Sequence, residues 1–450
     1  MVYKNLNYLL IFIIFILSEL LNIVVYGQQL YVPKTRVGHA AVRFIDVIYY
    51  IGGFDINYAI NLDPISDFFY LDVGTSDNFL KWTDLKSQGV KLPTTIWHSA
   101  HLGGGNQDLI FIVGGLHYDQ TNTDYVYIFD TKTNELNIPT VIKGNVPPRR
   151  KGINSVIYEG KIYMFGGHMG IIGNYTFFNN FDIFDTINLN WQVGRLVDSP
   201  TARTLYTATL VNGVIYYIGG TQQNIFTPMT EIYQYDIVKN KWSLKKATTI
   251  DTTTPLPGIR AGHSAVQDNG KIYIYGGFYS SENTLFIPSQ ETFVILDAAT
   301  LVWSIPELKD PNIPKLAFHT ATLTMLKFMV ISFGNRTDLP NEGDQSNKSN
   351  YVFDLDDPYF SWIQLSIASE PPKNMTKTPP VTTSGDKTEP QEPSSSNKIV
   401  IISVSIGSIA IILAIYVAFS LVYKRIKTNT IKAGEKSGHS DENSVNEVRV

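Results

Sequence analysis

Residues 36–365 alternate short apolar runs with turns rich in glycine and polar residues, a pattern typical of β-strands. Runs such as KIYIY mix aromatic and aliphatic residues, which predicts strands buried on both faces between neighbouring sheets. Five of these runs end in a glycine pair. The pairs are Gly52 and Gly53, Gly114 and Gly115, Gly166 and Gly167, Gly219 and Gly220, and Gly276 and Gly277. A sixth run, MVISFGN, keeps only Gly334. The pairs recur every ~50 to 60 residues, which predicts a radial repeat.

Three further positions repeat with the glycines. The stretches RVGHAAV, TIWHSAH, RKGINSV, RTLYTAT, RAGHSAV and LAFHTAT precede them, and their fourth residues are His39, His98, Ile153, Tyr206, His263 and His319. An aspartate follows each pair: Asp72, Asp130, Asp185, Asp236, Asp297 and Asp354. The next repeated residue is Trp82, Leu136, Trp191, Trp242, Trp303 or Trp362. We expect the aspartate to bond amides two residues on and the tryptophan to pack between sheets.

This combination of R-x-G-H, glycine pair, aspartate turn and tryptophan resembles the kelch repeat. The resemblance implies an all-β fold, a six-bladed kelch-type β-propeller, over residues 28–365. It implies little about function, because kelch propellers include adaptors, cell-surface receptors and a few enzymes. The layout of the whole chain is similar to membrane-anchored kelch proteins of the attractin/muskelin-like group.

The N-terminus predicts entry into the secretory pathway. Lys4 precedes an apolar stretch, and Val25 and Gly27 are small enough to flank a cleavage site. Residues 1–27 therefore resemble a signal peptide. The alternative is an uncleaved signal anchor, since apolar residues continue past Glu19.

The C-terminal part predicts a membrane anchor. Residues 366–397 are rich in proline, serine and threonine and predict an extended stalk. Residues 398–422 predict a transmembrane helix, because the uncharged run 399–422 would span about 36 Å against a ~30 Å hydrocarbon core. Lysines and arginines follow it, which places residues 423–450 in the cytoplasm. The chain is thus expected to be a single-pass type I protein of the cell membrane or a secretory-pathway membrane, with the propeller extracellular or lumenal.

Four N-x-S/T sequons lie on the predicted lumenal side. They begin at Asn174, Asn335, Asn347 and Asn374. The sequence permits N-glycosylation at each of them and does not distinguish between them.

Composition narrows the chemistry. The net charge of −4 argues against a nucleic-acid partner, which would need a basic excess. The chain has no cysteine, so it can form no disulfide and no thiolate metal site. Copper-radical oxidases of the galactose oxidase kind also use kelch-type propellers, but their cofactor requires a cysteine crosslinked to a tyrosine. That chemistry is excluded here.

The residue three before the histidine position suggests a ligand face. It is arginine in four repeats, and kelch adaptors that grip acidic peptides use arginines at this position together with residues just after the glycine pair. The candidate ligand face is Arg36, Arg150, Arg203, Arg260, Phe54, His168 and Phe278. In the alternative interpretation these arginines serve the fold by bonding carbonyls of a neighbouring blade.

We expect binding rather than catalysis. The sequence shows no nucleophile–base pair, no cofactor loop and no clustered metal ligands, so no catalytic, cofactor or metal residue is assigned. The repeated histidines fall on different blades and are expected to pack between blades. The predicted partner is an extracellular protein or glycan. The alternative is a secretory-pathway enzyme with a carboxylate or metal site at the channel mouth.

Overall fold

The computed structural model describes residues 31–366, except 56–62, 75–80, 118–121, 172–173, 223–224, 283 and 340–343. The described residues belong to one compact unit and contain no helix. They form six sheets that each contain four antiparallel strands, and in one sheet a short parallel strand is added as a fifth. These sheets are the blades of a propeller, so the prediction of an all-β, six-bladed fold is confirmed.

The blades follow one another along the chain, and the strands of each are given in order. Blade 1 has Ala40–Phe44, Val47–Ile51, Phe68–Asp72 and Lys81–Asp84. Blade 2 has Ser99–Gly103, Leu109–Val113, Val126–Asp130 and Glu135–Asn137. Blade 3 has Ser155–Tyr158, Lys161–Phe165, Phe181–Asp185 and Asn190–Val193. Blade 4 has Thr207–Val211, Val214–Ile218, Glu231–Asp236 and Lys241–Lys246. Blade 5 has Ser264–Asp268, Lys271–Tyr275, Phe293–Asp297 and Val302–Ser304. Blade 6 has Thr320–Leu323, Phe328–Ser332, Ser349–Asp354 and Trp362–Ser366.

Six two-stranded ribbons accompany the blades, all at the end where first strands begin and second strands finish. They pair Phe54–Asp55 with Asp63–Pro64, Thr95–Ile96 with Leu116–His117, His168–Ile171 with Asn174–Phe177, Thr221–Gln222 with Ile225–Phe226, Phe278–Tyr279 with Ile287–Pro288, and Leu316–Ala317 with Asn335–Arg336. We call this end of the propeller the ribbon face. The sequence pattern did not reveal these short strands.

The blades are joined into a closed ring by their first strands, each of which contacts the first strand of both neighbours. Backbone hydrogen bonds between blades repeat at the second glycine of each pair. The amide of Gly167 donates to the carbonyl of Arg203 (2.8 Å), and that of Gly334 donates to Arg36 (3.0 Å). The last of these bonds joins blade 6 to blade 1. Residues 31–35 form no strand, so in the described chain no N-terminal strand is added to blade 6.

In four of the five pairs the first glycine is required because the next blade comes too close for a side chain, and Gly114 is the exception. Gly276 has φ +66°, and a Cβ there would lie 2.2 Å from the carbonyl oxygen of Leu316. Gly52 has φ +57° and would place a Cβ 2.4 Å from the carbonyl oxygen of Thr95. Only glycine accommodates both the left-handed backbone and the approach of the next blade.

The aspartates have the predicted turn-forming role. Asp185 accepts the amide of Ile187 at 2.9 Å, and Asp297 accepts that of Ala299 at 3.0 Å. The equivalent aspartates of the other four blades accept amides in the same way, two or three residues on. The chain therefore reverses at each aspartate into the fourth strand.

The tryptophans anchor neighbouring blades to each other. Trp242 and Trp303 have no exposed surface. The Trp303 indole of blade 5 donates to the carbonyl of Met229 in blade 4 at 2.8 Å, and Trp242 donates to Arg195 at 2.7 Å. Each ring thus adds a polar link between blades to a large buried area.

Two connections between blades also cover sheet edges. Lys143 pairs in parallel with the fourth strand of blade 3, and the strand Thr248–Thr249 pairs in parallel with that of blade 5. Blade 2, where Leu136 replaces the tryptophan, has a fourth strand of only three residues. The covered edges have their backbone groups paired and are protected from pairing with another chain.

The predicted signal peptide, transmembrane helix and cytoplasmic tail lie outside the described residues. So does the predicted stalk apart from Ser366, which ends the last strand. Within the part of the chain that is described, no helix has the length and hydropathy needed to cross a membrane.

Candidate interaction site on the ribbon face

The four arginines of the candidate ligand face are buried. Arg36, Arg150 and Arg260 have no exposed surface and Arg203 is 4% exposed. Their guanidinium groups therefore do not present charge at the channel mouth. This corrects the sequence-based interpretation of these four arginines as part of a ligand face.

Three of the arginines are held by an acid and by their own blade. Arg36 donates to the carbonyl of Gly52 (3.0 Å) and to Asp67 (3.0 Å). Arg260 makes the equivalent contacts with Gly276 (3.1 Å) and Glu291 (3.5 Å). Arg150 pairs with Asp182. Arg36 and Arg260 thus fix the backbone where the second strand ends, and the carbonyl that each of them bonds belongs to its own blade rather than to a neighbour.

Arg203 differs from the other three. Its guanidinium lies 4.8 Å from the ring centre of Tyr233, and its Nε and Nη1 have no hydrogen-bond partner among the described residues. Burial lowers the pKa of Arg203 from its usual value. A cation–π contact takes the place of the carboxylate that its counterparts have.

The repeated histidines pack between blades, as expected. His319 Nε2 lies 2.7 Å from the hydroxyl of Ser264, and His263 Nε2 lies 3.1 Å from that of Thr207. His39 makes the same contact with Thr320 at 3.0 Å, across the junction of blades 1 and 6. Burial lowers the pKa of His319 to about 3, so its ring is neutral at physiological pH.

His168 of the candidate ligand face is half-buried on the ribbon of blade 3. Its Nδ1 lies 2.9 Å from the hydroxyl of Thr204 in blade 4. Its ring contacts Tyr175 and Phe177, with centroids 5.0 and 5.6 Å away. Burial, followed by the charge of Lys151, lowers its pKa to about 4. His168 is therefore a neutral, fixed side chain.

Aromatic side chains, rather than arginines, make the ribbon face distinctive. Phe54 and Phe278 of the candidate ligand face belong to a continuous series of ring contacts that runs across blades 1, 2, 6, 5 and 4. We call this series the aromatic row. Its members are Phe54, Trp97, Phe318 and Phe278 in succession, followed by Phe286 and Phe226, which both contact Phe278; the contacting centroids are 4.9–6.1 Å apart.

The centre of the aromatic row depends on an alternation of small and large residues. The third residue of the R-x-G-H stretch is glycine in blades 1, 3 and 5 and is Trp97, Leu205 and Phe318 in blades 2, 4 and 6. A Cβ at Gly38 would lie 3.0 Å from the Trp97 ring, and one at Gly262 would lie 2.9 Å from Phe318. The glycines thus provide the space in which the neighbouring large rings lie.

Sequence reasoning missed these large residues. The signal was present, because the third letter of the six aligned stretches alternates between glycine and a bulky apolar residue. The structure brings Trp97 and Phe318, which are far apart in sequence, into edge-to-face contact with centroids 5.2 Å apart.

The outer part of the row reaches solvent through two ribbons. Phe286 is 37% exposed and the adjacent Leu285 is 61% exposed. Ile225, next to Phe226 on the ribbon of blade 4, is 74% exposed. Exposed apolar side chains that adjoin a packed aromatic series are typical of a protein-interaction surface.

Behind the row lies a central cavity of about 450 Å³, lined mainly by the beginnings of the first strands. Inside it Ser155 Oγ of blade 3 lies 2.7 Å from His101 Nε2 of blade 2, a serine–histidine contact that the sequence did not reveal. Burial lowers the pKa of His101 to about 4, which makes it a weak base. Among the described residues no carboxylate hydrogen-bonds the imidazole. The pair lacks the third member that orients a catalytic histidine.

Two of the predicted glycosylation sites are buried in blade 6. Asn347 is 2% exposed, and its amide donates to the carbonyls of Phe333 (2.8 Å) and Ser349 (2.7 Å). Asn335 is 8% exposed and donates to Gln345 at 3.1 Å. The folded propeller has no room for a glycan on either nitrogen, so these two candidates are corrected.

Asn174 is exposed, and Asn374 lies outside the described residues. Within the described ranges no group of three or more histidine, aspartate or glutamate side chains could hold a metal ion.

Closed rings of four-stranded blades with paired glycines, buried arginines and inter-blade histidines define a kelch-type β-propeller. The family model described as the Attractin/LZTR1 beta-propeller matches residues 110–378, more than half of the chain. The chain belongs to this family.

Curated relatives agree with this assignment. Kelch domain-containing protein 3 of Bos taurus is 27% identical over 263 residues, which are 56% of this chain and 66% of that protein. The chain thus spans slightly less than two thirds of that relative. Kelch domain-containing protein 10 of Rattus norvegicus is 23% identical over 55% of this chain and 60% of its own length.

An enzyme is also among the relatives. The N-(sulfonatooxy)prop-2-enimidothioate sulfolyase of Thlaspi arvense is 25% identical over 65% of this chain and 86% of its own length. Among solved structures, the one titled "Structure of YjhT" superposes with a TM-score of 0.55 at 14% identity, covering 74% of this chain and 98% of that one. That likeness concerns the fold alone.

Proposed function

We propose that this chain is a single-pass type I membrane protein whose propeller binds a protein partner through the ribbon face. The kelch propeller is an interaction module, and the observation that carries the choice of surface is the aromatic row with its exposed edge at Leu285 and Phe286. The membrane anchor and the extracellular or lumenal location rest on the sequence, on the uncharged run 399–422 and the basic residues after it. In this layout the chain is similar to the membrane-anchored attractin/muskelin-like group.

The chemistry of the ribbon face favours a protein over a glycan. Sugars stack on aromatic rings, but the exposed aliphatic side chains Ile225 and Leu285 gain most from burial against apolar groups of a protein. The buried arginines give no support to an acidic ligand, since their charges are already matched or enclosed. The expected partner segment is therefore apolar rather than anionic.

The experiment compares partner capture by variants of the full-length chain. The protein, purified in detergent, is screened against extracellular proteins and glycans, and hits are titrated with Leu285→Ser and Phe286→Ser. We expect both variants to bind at least about tenfold more weakly. The matched control is Val238→Ser, which changes an 82% exposed apolar residue in the turn after the third strand of blade 4, away from the ribbon face.

Equal affinity of all three variants would move the binding surface elsewhere on the propeller. A glycan as the sole hit would replace the protein partner.

The topology is tested separately on intact cells that carry the chain with a C-terminal tag. Added protease should remove the propeller and leave a small tagged fragment. The contradicting result concerns chain that has reached the plasma membrane. If its propeller is protected on intact cells and is degraded only after the cells are permeabilised, the proposed orientation is wrong.

The alternative function, a secretory-pathway enzyme, has one relative in its favour, the sulfolyase. Metal analysis of the purified protein discriminates between the two. Stoichiometric iron or copper would favour the enzyme.

A further inference from the structure

We propose that Asn174 is an N-glycosylation site of the folded propeller and that the sequons at Asn335 and Asn347 stay unmodified in it. This inference rests on the lumenal location given under the proposed function. All of these sequons fit the same sequence motif, and only the structure shows which of the asparagines are exposed and which are buried.

The strand Asn174–Phe177 places the sequon favourably. Side chains alternate along a strand, so Asn174 and Thr176 point to one side and Tyr175 to the other. Asn174 and Thr176 are exposed, whereas Tyr175 is half-buried against His168. The two groups that the modifying enzyme must recognise are therefore both on the open side of the ribbon.

The contacts of the ribbon also show that a glycan would be tolerated after folding. The strand is paired to His168–Ile171 through its backbone, and Tyr175 holds its inner side through His168 and the ammonium group of Lys151, 5.8 Å from the ring centre. None of these contacts uses the Asn174 side chain. A sugar attached there extends into solvent without breaking any of these contacts.

Asn347 presents the opposite case. Its side-chain nitrogen donates to two backbone carbonyls of blade 6, and its Oδ1 accepts the amide of Ser349 at 3.1 Å. The nitrogen that would carry the glycan is thus hydrogen-bonded to the serine of its own sequon inside the blade. A glycan at Asn347 would remove these bonds and expand a core position, so a modified chain would not complete blade 6.

The position of Asn174 also bears on partner binding. The ribbon of blade 3 lies on the ribbon face, while the aromatic row runs over the other five blades. A glycan at Asn174 would therefore cover the one blade that the row does not use. It would leave the apolar edge on blades 4 and 5 free for the partner.

The test uses the full-length chain expressed in eukaryotic cells and the protease-resistant, folded fraction. Enzymatic removal of N-glycans converts each modified asparagine to aspartate, and mass spectrometry of peptides then gives the occupancy at Asn174, Asn335 and Asn347. We expect conversion at Asn174 and none at the other two. Asn174→Gln and Thr176→Ala should each remove the same single glycan from the propeller without changing its melting temperature.

A positional control keeps the two proposals separate. Asp386→Asn creates an added sequon with Thr388 in the predicted stalk. If this site is glycosylated while Asn174 is not, or if folded protein carries a glycan at Asn347, the inference is overturned and the topology stands. If no site in the chain is glycosylated, including the added one, the lumenal topology fails and the inference fails with it.

Discussion

The amide of Gly334 donates a hydrogen bond of 3.0 Å to the carbonyl oxygen of Arg36, and so joins the last blade to the first. The same bond recurs between the other neighbouring blades, always from the second glycine position to the residue at the arginine position. At the same junction Tyr50 of blade 1 and Ser332 of blade 6 share a hydrogen bond of 2.7 Å. In the described chain the ring is thus closed through contacts between two complete blades, without a strand exchanged between them.

The closing glycine should be sensitive to a single added carbon. Gly334 has φ +91°, and a Cβ would lie 2.7 Å from the Cβ of His319. We expect Gly334→Ala to lower the free energy of unfolding by about 2 kcal/mol or more, from left-handed strain and overpacking together. Gly105→Ala is the control, since nothing lies within 4 Å of a Cβ there. Equal urea midpoints for the two variants would argue against a tight junction at Gly334.

The arginines should contribute to stability according to their partners. Arg260→Met leaves the carboxylate of Glu291, 3.5 Å away and nearly buried, without its cation, and we expect a loss of about 3–5 kcal/mol. Arg203→Met removes a buried cation that has no acid bonded to it, so its cost should be smaller by at least about 1 kcal/mol. Urea unfolding of the two variants measures the difference. A costlier Arg203 variant would indicate that this cation has a partner outside the described residues.

The residue at the tryptophan position should contribute most to the free energy of unfolding where its ring is fully buried. Trp303 has no exposed surface and donates to Met229, and we expect Trp303→Ala to cost about 3–5 kcal/mol. Leu136→Ala alters the same repeat position in blade 2, where the residue is half-buried on a three-residue strand, and should cost about 1–2 kcal/mol. The two variants are compared by thermal unfolding. The unfolding is monitored by far-UV circular dichroism, because this signal does not depend on the substituted tryptophan. Similar losses would show that the position, rather than the enclosed indole, sets the contribution.

Acid should destabilise the ring through its inter-blade histidines. Burial lowers the pKa of His98 and His319 to about 3 and that of His101 to about 4. Below pH ~6.5 the unfolded chain binds protons at these residues and the folded chain does not, so acidification favours unfolding. Each such histidine should lower the free energy of unfolding by up to about 1.4 kcal/mol for every pH unit between pH ~6.5 and the pKa that it has in the folded protein.

The measurement is the urea midpoint between pH 7.5 and 5, above the range in which most carboxylates titrate. His319→Asn should reduce the slope of the urea midpoint against pH by the contribution of one histidine. This reduction is expected whatever effect the substitution has on stability at pH 7.5. A midpoint that does not change between pH 7.5 and 5 would mean that these histidines are not buried in the neutral form.

The sequence by itself determined the architecture, because the structural role of each kelch position is local and follows directly from the type of residue that occupies it. A strand of alternating apolar residues ends where Gly276 allows a left-handed turn, Asp297 reverses the chain, and Trp303 supplies a large ring. These positions recur in six repeats with few exceptions, so even the degenerate sixth repeat with only Gly334 could be recognised.

Only the tertiary structure decided which residues meet. An arginine in a repeated stretch is equally suited to a ligand and to the carbonyl of Gly52, and its burial depends on how closely the blades pack. In the same way, Trp97 and Phe318 come from blades 2 and 6 and touch only because the first strands converge on one axis. Asn174 and Asn347 share one motif, yet one lies on the open side of a ribbon and the other inside a blade. Burial and long-range contact arise from packing between blades, which residue type and spacing along the chain do not specify.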